Sequence, residues 1–229
     1  MSYTTEHQRI AQHEASHVVV AWLLGFRVRL VRMGAVSGGL VDVLPDYDLR
    51  PAYRDPALAP FPLFMGADPA CFSGGGYSGP LPAALPANGA RVVADLMAIL
   101  LAGYAIEAED AASAKFDYDT ARVGACTDAS QVEILVRRYP EMAMAKDALL
   151  RWMPGFMRDY VVDEVEAVAQ VLLNPSREAQ ASWIGTEDLA QLRDGFTGAR
   201  YERAANKLNA ELEGLVFLVE RSKAASRAA

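Results

Sequence analysis

The residues best placed to do chemistry are His13-Glu14-Ala15-Ser16-His17, which fit the pattern H-E-x-x-H. On a helix, side chains four positions apart share a face, so both imidazoles can grip one metal ion. The glutamate beside the first is then placed to handle protons. That chemistry is hydrolysis by a metal-activated water, and it predicts a zinc peptidase. Two core histidines satisfied by carbonyl groups are the competing explanation. His13 and His17 share their stripe with Ile10, Val20 and Leu24, and with a glutamate offset by one residue a common metal explains the set better.

A catalytic zinc needs three protein ligands and one open position. The chain holds only three histidines, His7, His13 and His17. His7 lies about a third of a turn round the helix from His13 and too far along it to close the site. Cys71 and Cys126 are widely separated and form no C-x-x-C pair, so they imply neither a disulfide framework nor a thiolate site. The third ligand is therefore expected to be a carboxylate, with Glu107, Glu109, Asp117, Asp119 and Asp128 as candidates.

The elements that must position these groups can be read from periodicity. A helix is expected from Thr5, where Thr5-x-x-Gln8 resembles a capping box, to a left-handed stop at Gly25. Phe26–Met33 alternates apolar and basic residues as a half-buried strand does, and Gly38–Leu44 reads as its antiparallel partner. This hairpin can serve equally as a cover for the core or as an edge for an extended substrate. Residues 45–87 are rich in Pro and Gly and predict a long loop, mobile by default, in which Phe61, Phe64, Phe72 and Tyr77 could pack inward. A second helix over about 88–109 carries Val92, Val93, Leu96, Ile99, Leu100 and Tyr104. Its Ala102-Gly103 pair permits close approach of another helix, and Glu107 can accept a hydrogen bond from a metal-bound histidine. A third helix carries Val132, Ile134, Leu135 and Val136, and further helices are expected at 140–152, 156–173, 186–193 and 200–223, with a break at Pro154-Gly155 among others. The fold class is mainly α (α+β), with a small antiparallel sheet near the N-terminus. The division expected is a domain over 1–195, with 45–87 as an insertion, and a C-terminal helix over 196–229 that packs inward or mediates oligomerisation.

Composition narrows the partners. Of 229 residues, 52% are hydrophobic and 22% charged, as in a globular chain. The net charge of −7, a pI near 5.0 and the lack of a basic cluster argue against nucleic acid. The apolar runs at 18–26 and 96–106 read as too short to span a membrane. No signal peptide or phosphate-binding loop is evident, so a cytoplasmic location fits best.

Several segments, in order, resemble the peptidase domain of the FtsH-type zinc proteases. His13-Glu14-Ala15-Ser16-His17 is similar to that family's H-E-A-G-H. The stretch Leu101-Ala102-Gly103-Tyr104-Ala105-Ile106-Glu107-Ala108-Glu109 is similar to L-G-G-R-A-A-E-E, and Gly124-Ala125-Cys126-Thr127-Asp128 to G-A-S-N-D. A weaker likeness joins Gly185-Thr186-Glu187-Asp188-Leu189 to the family's G-E-E-I, so the resemblance covers about residues 5–192. It implies a helical zincin-like domain with Zn2+ held by His13, His17 and Asp128, Glu14 as general base, and Glu107 in the position of the first acid of the helix signature. Ser16, Cys126 and Thr127 depart from the family's usual residues, and no ATPase or membrane-spanning segment accompanies the match. The expectation is thus an ATP-independent, soluble zinc endopeptidase acting on peptides or on unfolded or flexible proteins. A separate ATPase partner and a homo-oligomer are compatible with it. The alternative is a catalytically silent, zinc-bound adaptor of the same fold.

Overall fold

A computed structural model describes residues 5–33, 39–61, 81–114, 126–173, 183–196 and 198–228. Helix α1 (Thr5–Leu23) is buried on nearly every side beyond Ile10, which its run of Val, Ala and Leu permits. Such a helix is central rather than amphipathic. It stops at Gly25, whose φ of +74° is the left-handed conformation glycine adopts without penalty. The chain then turns into β1 (Phe26–Met33), paired antiparallel with β2 (Gly39–Pro45).

A register shift between Val28 and Leu30 interrupts this ladder. It explains why the buried residues run Phe26, Val28, then Val31, skipping from even to odd positions. An extra residue in one strand reverses which face the later side chains meet. Strand β3 (Trp183–Gly185) pairs with the other side of β1, giving the order β2-β1-β3. Three residues carry too little periodicity to be read from sequence.

Helix α2 (Gly89–Ala114) packs along α1, and its residues from Val92 to Ala102 are all buried. Its segment Gly89–Ala108, with mean hydropathy 1.6, is long and apolar enough to cross a membrane, contrary to the expectation from its shorter apolar run. Here 89% of its most apolar window is buried inside the fold, so the apolarity is used in a core.

Two further expectations are corrected. The first part of the Pro-rich segment is not mobile, because Tyr53, Leu58 and Phe61 are buried and a 3-10 turn (Pro51–Arg54) orders the chain. Phe61 packs 5.9 Å from the Tyr139 ring. Phe64, Phe72 and Tyr77 lie outside the described residues. The break at Pro154-Gly155 does not occur. Helix α4 (Ala143–Phe156), which follows α3 (Cys126–Arg138) and a 3-10 turn (Pro140–Met142), runs through Pro154 into a π turn (Met157–Val161) and on into α5 (Val162–Leu172). A proline removes one helical hydrogen bond and crowds the preceding turn. Wider π spacing follows here, and burial of Phe156, Met157 and Val161 holds the helix together.

After α6 (Thr186–Gly195), the long α7 (Ala199–Ala228) lies against α2 and α4 and buries Ala204, Leu208, Leu212 and Val219. A polar clamp fixes it. Asn209 Oδ1 accepts from Arg50 at 2.9 Å and Arg91 at 2.5 Å, and Arg91 also donates to the fully buried Asp95 at 2.7 Å. The Tyr53 hydroxyl donates to the same carboxylate at 3.0 Å. Each buried polar group here has a partner, which is the condition for burying a charge.

Leu208→Ala should therefore cost about 2–5 kcal/mol in urea denaturation. Phe217→Ala, on the same helix but 65% exposed, should cost no more than about 0.5 kcal/mol. Equal effects would contradict the packing described for α7.

Candidate metal centre

Helices α1 and α2 meet along complementary stripes. Ile99, Gly103 and Glu107 follow at one-turn spacing on α2 and face His17 and His13 on α1. The His17 Nδ1 donates to the Ile99 carbonyl at 2.7 Å. A carbonyl can only accept, so Nδ1 carries a proton and Nε2 is the nitrogen a neutral ring would offer an ion. The His13 Nδ1 meets Glu107 Oε1 at 2.8 Å, the same arrangement with a carboxylate as acceptor. Between these contacts the His13 ring lies on Gly103. A β-carbon there would fall under 3.0 Å from the ring atoms, so only glycine leaves the space.

With both Nδ1 atoms committed to α2, the two Nε2 atoms converge on Asp128. Its Oδ2 lies 3.1 Å from His13 Nε2 and 3.3 Å from His17 Nε2. A tetrahedral zinc with bonds of about 2.0–2.1 Å sets its ligand atoms about 3.3 Å apart. These distances therefore suit three ligands around a shared ion as well as they suit hydrogen bonds. His13, His17 and Asp128 form a group that can hold a metal ion, with ligand atoms all within 4.8 Å of one another. Asp128 stands in the first turn of α3, where the helix dipole favours the ionised carboxylate.

Glu14 is buried beside this group. A β-carbon at Gly39 would fall under 3.0 Å from its carboxyl carbon, so the first residue of β2 closes over it. The Ser16 hydroxyl donates to the His13 carbonyl at 2.6 Å, an internal bond of α1.

The charges act strongly on one another because His13, Glu14 and His17 are buried. Burial lowers the His13 pKa, but hydrogen bonds to Asp128 and Glu107 outweigh it and carry the value to about 10. His17 is likewise opposed by burial and raised by the Asp128 charge. Burial pushes Asp128 up, yet the two histidines hold it well below the usual carboxylate range. Glu14 is raised by burial, against the lowering effect of the histidines.

Of the acids considered from sequence, Asp128 joins the histidines and Glu107 stands behind His13. The side chain of Glu109 and the residues Asp117 and Asp119 lie outside the described residues. The sequence reading missed Arg9, the Ile99 carbonyl and Gly39. Arg9, one turn before His13, carried a readable signal, whereas a carbonyl and a glycine at the start of a strand carry none. No family model, curated protein or solved structure matches the chain.

Metal binding requires neutral imidazoles. Below pH 10 the metal-free protein keeps a proton on His13, so binding must release it. Metal affinity should rise about tenfold per pH unit between about pH 6 and 8, as read by chelator competition. The sign reverses for metal-free stability. A raised His13 pKa contributes fully below its ordinary value of 6.5 and is lost as pH rises through about 10. An affinity independent of pH would contradict a protonated metal-free site.

Proposed function

We propose that this chain is a zinc-dependent endopeptidase resembling the peptidase domain of the FtsH-type proteases. The observation that carries the reading is the convergence of His13 Nε2, His17 Nε2 and Asp128 Oδ2 with Glu14 buried alongside. Two imidazoles and one carboxylate form a catalytic zinc set, three protein ligands leaving a position open. Charge supports a cation there. The carboxylates of Glu14, Glu107 and Asp128 outnumber the one guanidinium, Arg9, which also pairs with Glu6, and a divalent ion would offset the excess.

Bound there, zinc would supply Lewis acidity and a water acidified to a pKa of about 7. Glu14 accepts a proton on one face of the scissile bond and returns it to the leaving amine, and its raised pKa suits both halves of that task. His13 and His17 are held in the ligating tautomer by Glu107 and the Ile99 carbonyl. Substrate is an extended peptide or an unfolded segment. Strand β2 is paired on one side only among the described residues, and Gly39 at its start touches Glu14. A peptide added to that edge would pass the base in fixed register. Digestion of folded proteins would need a separate ATPase. A silent adaptor is disfavoured because it leaves the buried Glu14, which is no ligand, without a purpose.

Glu14→Gln should keep the metal and lower cleavage of casein or an unstructured peptide by about 10²–10⁴-fold. His13→Ala should lose the metal and the activity together. Wild-type cleavage by Glu14→Gln would refute the peptidase reading.

A further inference from the structure

The buried carboxylate behind His13 is itself held by a residue outside the metal set. Glu107 is 2% exposed, and its Oε1 meets both His13 Nδ1 at 2.8 Å and Arg9 Nη1 at 2.6 Å. Its Oε2 has no hydrogen-bond partner among the described residues, so the carboxyl is oriented through one oxygen alone. Arg9 lies one turn before His13 on α1, and the two reach the same acceptor on α2 from adjacent positions. The rest of the guanidinium is fixed as well, since Nε and Nη2 donate to the two oxygens of Glu6 at 3.0 and 2.7 Å. That bidentate grip leaves Nη1 aimed at Glu107, a geometry the planar fork of arginine provides and a lysine ammonium does not.

The two histidines therefore differ. His17 leans on a backbone carbonyl fixed by helix α2, whereas His13 leans on a side chain that could rotate away. We propose that Arg9 is a positioning residue for the metal centre, pinning Glu107 Oε1 against His13 Nδ1 so that the His13 Nε2 stays directed at the ion. The inference rests on the metal reading above and extends it to a residue that binds neither metal nor substrate.

Zinc affinity of the full chain, measured by chelator competition, tests it in a double-mutant cycle with Glu107→Leu. Arg9→Gln should weaken zinc binding about tenfold, within the span usual for residues behind a metal ligand. Arg9→Lys, which keeps the charge but not the fork, should recover only part of the loss. In the Glu107→Leu background, which removes the acceptor shared by Arg9 and His13, Arg9→Gln should change affinity less than about twofold. Thermal melts of the metal-free variants separate these effects from unfolding. Unchanged affinity in Arg9→Gln, or an equal loss in both backgrounds, overturns the role of Arg9 and leaves the peptidase reading standing. A wild-type chain that binds no zinc overturns both.

Discussion

The contact between α1 and α2 is the constraint on which the site depends. Each metal-facing histidine spends its Nδ1 on α2, one on a backbone carbonyl and one on a buried carboxylate. This decides which ring nitrogen is left for an ion, and it does so before Asp128 arrives from a third helix. Gly103 sets how near the helices come, since any side chain there would occupy the place of the His13 ring. The apolar length of α2 follows from the same requirement. A helix that must lie against α1, buried on nearly every side beyond Ile10, is itself largely covered.

Burying so much charge in one place is costly unless it is balanced. The fold balances it in layers. Arg9 faces Glu107 at the outer end of the cluster, the imidazoles face Asp128 at the inner end, and Glu14 stands beside them against Gly39. A proton on His13 helps satisfy the inner layer of the metal-free protein, and the Asp128 charge raises His17 in the same direction. A divalent cation held by His13, His17 and Asp128 would satisfy that layer in the proton's place. The polar clamp around Asp95 solves a similar problem elsewhere with side chains alone, pairing its carboxylate with Arg91 and Tyr53. That clamp ties α7 to the core and gathers no metal-ligand set.

Much of this was legible in the sequence because it is periodic. The helix carrying His13 and His17, its stop at Gly25, the β1–β2 hairpin, the core helix α2 and the small residue at 103 all follow from spacing and residue type. Asp128 was one of five acids until the resemblance singled it out, because a partner more than a hundred residues away leaves no local signal. The bulge in β1 was illegible because one extra residue is invisible until the strand is paired. Strand β3 was too short to register, and the continuation through Pro154 depended on tertiary burial outweighing a local breaker. Tyr53 and Leu58 were hidden by the prolines around them, whereas Phe61, read as able to pack inward, is buried.

The central claim is that one metal ion joins α1 to α3 through His13, His17 and Asp128. X-ray absorption at the zinc edge on the purified chain tests it most directly. The expected result is one zinc per chain with only nitrogen and oxygen neighbours at about 2.0–2.1 Å, including two imidazoles. A sulfur neighbour at about 2.3 Å, which would bring in Cys71 or Cys126, or the absence of bound metal after zinc loading, would contradict it.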